Sequence, residues 1–149
     1  MASWRDQATE ECQNDLDGLL NTTLPFAQQQ LDKRGALLPF GAVVDRDGTV
    51  RLTAAYDGAE LPASHDLLNS LHEGARSQRA SIRAAAFVAD VTVPGEPSDA
   101  IRVDVEHADG VAIAVLLPYS KRRLGRGIDY EPLRAAPGER HVWTEGAVT

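Results

Sequence analysis

A single cysteine, Cys12, leaves no partner for an intramolecular disulfide. Aromatic residues make up only 5% of the chain, too few for the stacking platforms of a nucleic-acid reader. Positive charge is in deficit as well. Lys and Arg total 15 against 22 Asp and Glu, and the resulting net charge of −7 repels phosphate backbones. Apolar runs are short: the longest, Val111 to Pro118, has strand length and falls far below the ~20 residues of a transmembrane helix. The opening Met1-Ala2-Ser3-Trp4-Arg5 has neither the basic nor the apolar part of a secretory leader. The expectation is a chain that engages neither nucleic acid nor membrane, placed in the cytoplasm by elimination.

Chemical motifs are also missing. No G-x-x-x-x-G-K-[ST] or G-x-G-x-x-G loop is present, and no G-x-S-x-G elbow surrounds Ser64 or Ser98. Asp45, Asp47 and Asp57 lack the spacing and closing Glu of a calcium loop. No cofactor, no metal and no catalytic residue is therefore assigned, and an enzyme is the less favoured class.

What is present suits one globular domain over residues 1–149, with 43% hydrophobic and 25% charged residues. Ala8, Cys12, Leu16, Leu19 and Leu20 recur at helical spacing. The pattern weakens at Asn21-Thr22-Thr23, and Pro25 suits the first position of a second helical piece capped by Thr22 or Thr23. Phe26, Ala27 and Leu31 continue the stripe to Gly35, a C-terminal stop. Phe40 to Asp45 and Thr49 to Tyr56 read as a hairpin about Asp45-Arg46-Asp47-Gly48. Asp57-Gly58 and Pro62 mark a loop. A helix follows from Ser64 to about Ala80, with Leu67, Leu68, Leu71 and Ala75 as its apolar stripe. Ile82 to Val93 is apolar on both faces and so is covered on both. Ile101, Val103 and Val105 alternate with Arg102, Asp104 and Glu106, giving one dry and one wet face. Asp109-Gly110 turns the chain into Val111 to Leu117. Ile128, Tyr130 and Leu133 suggest an edge strand beside Pro132, His141 to Trp143 a further short one, and residues 144–149 a frayed end. The fold class is α+β: an antiparallel five- to six-stranded sheet with two main helices, in the order α-ββ-α-βββ plus a short C-terminal strand region.

The run Leu38-Pro39-Phe40-Gly41-Ala42-Val43-Val44-Asp45-Arg46-Asp47-Gly48 resembles the opening hairpin of a group of small bacterial proteins with no assigned activity. The resemblance continues through Tyr56-Asp57-Gly58, the second helix and the meander. In element order the chain is similar to roadblock and longin-like modules, which are non-enzymatic, dimerise and serve as platforms for small GTPases and other partners. It departs from them in ending on a basic loop and strands instead of a helix. PAS and GAF sensor domains have a related order.

Four residue groups carry candidate chemistry. His65-Asp66 and His72-Glu73 share a helix face, but the histidines sit ~10 Å apart along the axis and cannot ligate one metal. His65, Asp66 and His72 are the only residues an enzyme reading can nominate, and cap or surface roles suit them better. His107 falls in phase with Val105 and is expected to point inward. Cys12 lies on the apolar phase beside Glu10, Glu11 and Asp15, which oppose a thiolate. Lys121, Arg122, Arg123 and Arg126 put four positive charges in six residues, either as a solvated loop or as a site for an anion or an acidic partner.

Small residues (Ala84, Ala85, Ala86, Ala89, Ala112, Ala114) keep both sides of two strands thin. The face carrying Ala85, Phe87 and Ala89 must be covered by a helix or by a second subunit, which makes it the candidate dimer interface. The reading that follows is a homodimeric, non-enzymatic interaction or adaptor module with a possible protein partner. The alternatives are a small-molecule sensor and an acidic neutralising partner of the immunity type.

Overall fold

Thr9 starts the first helix, α1 (Glu10–Arg34): its backbone is extended and its hydroxyl accepts the Cys12 N–H at 3.1 Å. Gly35 ends it in the left-handed conformation, at φ 69°, with its N–H returned to the Leu31 carbonyl. The computed structural model describes residues 8–54, 64–92, 99–121 and 127–144, with the side chains of residues 64 and 65 outside that description. The expected loop at Asp57-Gly58 and Pro62 and the tail beyond Thr144 also lie outside it.

One continuous α1 replaces the expected two pieces. Thr23, expected as a cap, is buried and turns its hydroxyl back onto the Leu19 carbonyl at 2.8 Å. Pro25 lies inside the helix, and both it and Asn21, whose carbonyl it leaves without a donor, are exposed. Water can satisfy that carbonyl. The stripe Cys12, Leu16, Leu19, Thr23, Ala27 and Leu31 therefore stays unbroken against the sheet.

The remaining elements are β1 (Phe40–Asp45), β2 (Val50–Thr53), α2 (Ser64–Ser77), β3 (Ile82–Thr92), β4 (Asp99–His107), β5 (Ala112–Lys121), β6 (Ile128–Tyr130) and β7 (Arg134–Pro137). All the strands pair antiparallel in one sheet of order β2-β1-β3-β4-β5-β6, and β7 also pairs with β5. Gly48, at φ 90°, closes the β1–β2 turn as expected. The expected Ile101–Leu117 hairpin is present, with Ile101 opposite Leu117.

Among the described residues the count reaches seven because the last strand is split. β6 takes Tyr119 to Lys121 and β7 takes Ile113 to Leu116, so the two cover one edge of β5 in halves. Pro132 stands in the gap, where it has no N–H to give the ladder.

The core has two parts. On one face α1 packs over Phe40, Ala42, Val44, Ala84, Ala86, Val88, Ile101, Val103 and Val105. On the other, Leu71 and Ala75 of α2 pack with Val43, Ala85, Phe87 and Val142. The expected strand at His141–Trp143 is instead a bend, for a reason that lies in Glu106.

Candidate functional site

Two buried polar clusters hang on the end of β4. Glu106 and His107 are neighbours in a strand, so their side chains leave opposite faces of the sheet. Each is almost wholly removed from water.

His107 enters the α1 side, as its phase with Val105 suggests. Its Nε2 lies 2.9 Å from Asp15 Oδ2, and its Nδ1 accepts the Asp109 backbone N–H at 3.1 Å. With Nδ1 accepting, the ring proton sits on Nε2 and is donated to Asp15. Asp15 is 6% exposed and also binds Arg83, whose Nη2 donates to Oδ1 at 3.0 Å while Nε stands 2.9 Å from Oδ2. Glu11 lies 3.8 Å from the same guanidinium.

Cys12 completes this cluster. Its sulfur, a His107 nitrogen and an Asp109 carboxylate oxygen all lie within 4.8 Å of one another. A Cys–His–Asp constellation invites comparison with a nucleophilic triad, but the electrostatics run the wrong way. Burial first, then Asp109, Asp15 and Glu11, push the thiol up to about 11. A nucleophilic cysteine needs the opposite shift. Cys12 is also fully buried, so no substrate reaches its sulfur.

Glu106 leaves the other face, where strict alternation predicts a wet side chain. It is instead 1% exposed, because the chain at residues 141–143 folds over it. Its Oε1 accepts the N–H groups of His141 at 2.8 Å and Val142 at 3.0 Å, and its Oε2 accepts Trp143 at 2.7 Å. Three convergent N–H groups explain why the segment bends instead of forming a strand.

Arg76 of α2 holds the same segment by donating twice to the His141 carbonyl, at 2.8 and 3.0 Å. His72 stacks on His141 with ring centroids 3.8 Å apart and meets the Phe87 edge at 4.5 Å. Burial, followed by the His141 neighbour, lowers His72 to about 4, so this ring is neutral at neutral pH.

The residues singled out from sequence are scattered. His72 joins His141, Asp66 is exposed in the first turn of α2, and His65 is the second residue of that turn. Lys121 gives its ammonium to the Gly35 carbonyl at 2.6 Å, which ties it to the end of α1. Arg122, Arg123 and Arg126 lie outside the described residues. Ala85, Phe87 and Ala89 are buried within the chain, the first two beneath α2 and Val142, so no second subunit is needed to cover them.

The chain matches no family model, no curated protein and no solved structure. Its surface must therefore speak for itself.

Among the described residues β2 pairs only with β1. The Asp45 N–H bonds the Thr49 carbonyl, so Thr49 faces β1. Arg51 and Thr53 follow it, and the backbone groups of Val50 and Leu52 turn outward. Leu52 is 45% exposed and lies opposite Ala42, on the α1 side of the sheet. Two shallow clefts meet beside this edge at Ala54. One, of about 340 Å³, is lined by Phe26, Gln30, Arg34, Leu38 and Phe40; the other, of about 240 Å³, by Val43, Thr53, Leu71, Gly74 and Gln78.

Sequence reasoning missed Asp15, Arg83, Glu106 and His141 as structural partners. Two had a signal. Asp15 falls on the apolar phase of α1, and Arg83 is the one basic residue in the apolar run of β3, whose other charge is Asp90. Glu106 and His141 had none, since only the folded path of the C-terminal segment brings them together.

Proposed function

We propose that this chain is a non-enzymatic interaction module that pairs with a second copy of itself along the β2 edge. The supporting observation is the contrast between that edge and the buried Asp15, Glu106 and His107. Those three are held by partners within the chain, whereas Val50 and Leu52 turn bonding groups and apolar surface outward. An unpaired edge recruits another strand.

Antiparallel pairing of two β2 strands is isologous, and two registers are open. Centring on Arg51 sets two guanidinium groups face to face, which is unfavourable. Centring on Leu52 packs Leu52 on its copy and places Arg51 opposite Thr53, so this register is preferred. The adaptor role implied by the resemblance to roadblock and longin-like modules is consistent with such a dimer.

Sedimentation velocity tests the reading. The wild type is expected to dimerise in the micromolar range and Leu52→Lys to be monomeric at the same concentration, with unchanged circular dichroism. A wild type that stays monomeric at high concentration, or a Leu52→Lys dimer of equal affinity, refutes it.

A second reading, a small-molecule sensor, draws on the larger cleft. Its volume of about 340 Å³ lies at the low end for ligand pockets. Its apolar wall of Phe26, Leu38 and Phe40 beside Arg34 suits a small apolar anion. Stabilisation of the protein by a small aromatic carboxylate, lost in Phe26→Ala, would favour that reading over the first.

A further inference from the structure

We propose that Cys12, His107 and Asp109 form a binding site for a divalent transition cation of the zinc class, independent of the β2 edge. The Cys12 sulfur, an imidazole nitrogen and a carboxylate oxygen lie within 4.8 Å of one another, an S, N, O donor set suited to tetrahedral zinc. The nitrogen that faces Asp109 is Nδ1, which stands 3.5 Å from Asp109 Oδ2. That is close to the separation of two donors sharing one tetrahedral ion.

Three further observations point the same way. The Cys12 sulfur is fully buried and joined in no disulfide. The far nitrogen of His107 already meets a carboxylate, Asp15, at 2.9 Å. A carboxylate behind the imidazole is the usual orienting partner of a zinc-bound histidine, fixing the tautomer that leaves the other nitrogen free to ligate. Glu10, Glu11, Asp15 and Asp109 also surround the first turn of α1 with negative charge, which offsets the positive end of the helix. Those carboxylates make Cys12 a poor nucleophile, and the same charges attract a dication.

The alternative set, Glu11, Asp15 and His107, also falls within ligand distance. Arg83 decides against it: its guanidinium already occupies Asp15, at 2.9 Å, and repels a second cation. On the Cys12 side the charged groups that act on the thiol are the carboxylates of Asp109, Asp15 and Glu11. Binding there displaces the Asp109 N–H from Nδ1 and the proton from the thiol. Three protein ligands leave the fourth position to solvent, on the side of Asp109, whose side chain is 53% exposed. The bound ion would clip the start of α1 to the β4–β5 turn, nearly a hundred residues away in sequence.

The test is cobalt(II) titration of the full chain after chelator treatment, read by absorption. The expected result is a thiolate-to-cobalt band together with visible bands of four-coordinate intensity, both abolished by equimolar zinc. Cys12→Ser should lose the thiolate band. Asp109→Asn, at an exposed position, should keep the fold and weaken affinity by about tenfold or more. Absence of the thiolate band in the wild type overturns the proposal, as do unchanged cobalt affinity in Asp109→Asn and visible bands without the thiolate band, which would place the ion on His72 and His141.

Discussion

Replacing Glu106 with alanine removes the acceptor for three N–H groups, those of His141, Val142 and Trp143. Each buried donor left unsatisfied costs about 1–3 kcal/mol. The chain has a cheaper escape, because the segment can peel off and hydrate those groups. The loss is then bounded by what peeling exposes: the fully buried Val142 and the half-buried Trp143. Burial of one large apolar side chain contributes about 1.5–3 kcal/mol. Glu106→Ala should therefore cost about 2–4 kcal/mol. Glu106→Gln separates the contribution of charge from that of bonding. Both carboxylate oxygens accept, so the amide must turn its NH2 towards an N–H donor, and the cost should come within about 1 kcal/mol of that of alanine. Urea unfolding followed by circular dichroism measures the loss. Trp143 fluorescence, in a Trp4→Phe background, and tryptic cleavage after Arg140 report the segment itself. If the buried charge were a net burden, as buried ions can be, Glu106→Gln would be neutral or stabilising. That result, or a change below about 0.5 kcal/mol in both variants, would refute the reasoning.

Two other outcomes follow from the packing on that face. His72 is held at about 4 in the fold against an ordinary 6.5. The unfolded chain therefore takes up a proton first, and stability should fall as pH drops from about 6.5 through 4. The full difference corresponds to ~3 kcal/mol; partial contact of the ring with water reduces the expected loss to about 1–2 kcal/mol. His72→Gln should flatten that slope in acid-dependent urea melts, and an unchanged slope would assign it elsewhere. At Gly41 an added Cβ would meet the Ala86 carbonyl oxygen at 2.9 Å and Thr53 Oγ1 at 2.8 Å. The carbonyl belongs to the paired strand and cannot retreat cheaply, so Gly41→Ala should cost about 1–3 kcal/mol by urea unfolding, and a neutral result would show that the β1–β3 pair is slack.

Much of the sheet was legible because strand signals are local. The Asp45–Gly48 turn, the Ile101–Leu117 hairpin, the two-sided apolar character of β3 and the inward phase of His107 all follow from neighbours in sequence. Three features did not. Pro25 is a strong punctuation mark, yet an exposed proline costs little where water can reach the freed carbonyl and the apolar stripe continues beyond it. Glu106 alternates in phase with Arg102 and Asp104 as a wet residue, and only the return of residues 141–143 makes it buried. The Cys12–His107–Asp109 cluster joins the first turn of α1 to a turn nearly a hundred residues later, and no spacing pattern encodes such a meeting.

The two clusters have a common logic. An apolar stripe of Leu and Ala residues, as on α1, packs nearly as well when moved by one helical turn, about 5.4 Å. Such packing stabilises the helix without selecting its register. The Asp15 bonds to His107 and Arg83 do select, since a shift of that size breaks every one of them and leaves Asp15 buried and unpaired. On the opposite face Glu106 does the same for the C-terminal segment, whose apolar anchors among the described residues are Val142 and Trp143. One strand end therefore fixes both ends of the chain: residue 107 sets the first helix and residue 106 the last segment. Neither residue needs to touch a ligand to be indispensable. That is a structural reason for the proposal that places partner binding at the β2 edge, where among the described residues the outward-facing backbone groups of Val50 and Leu52 meet no further strand.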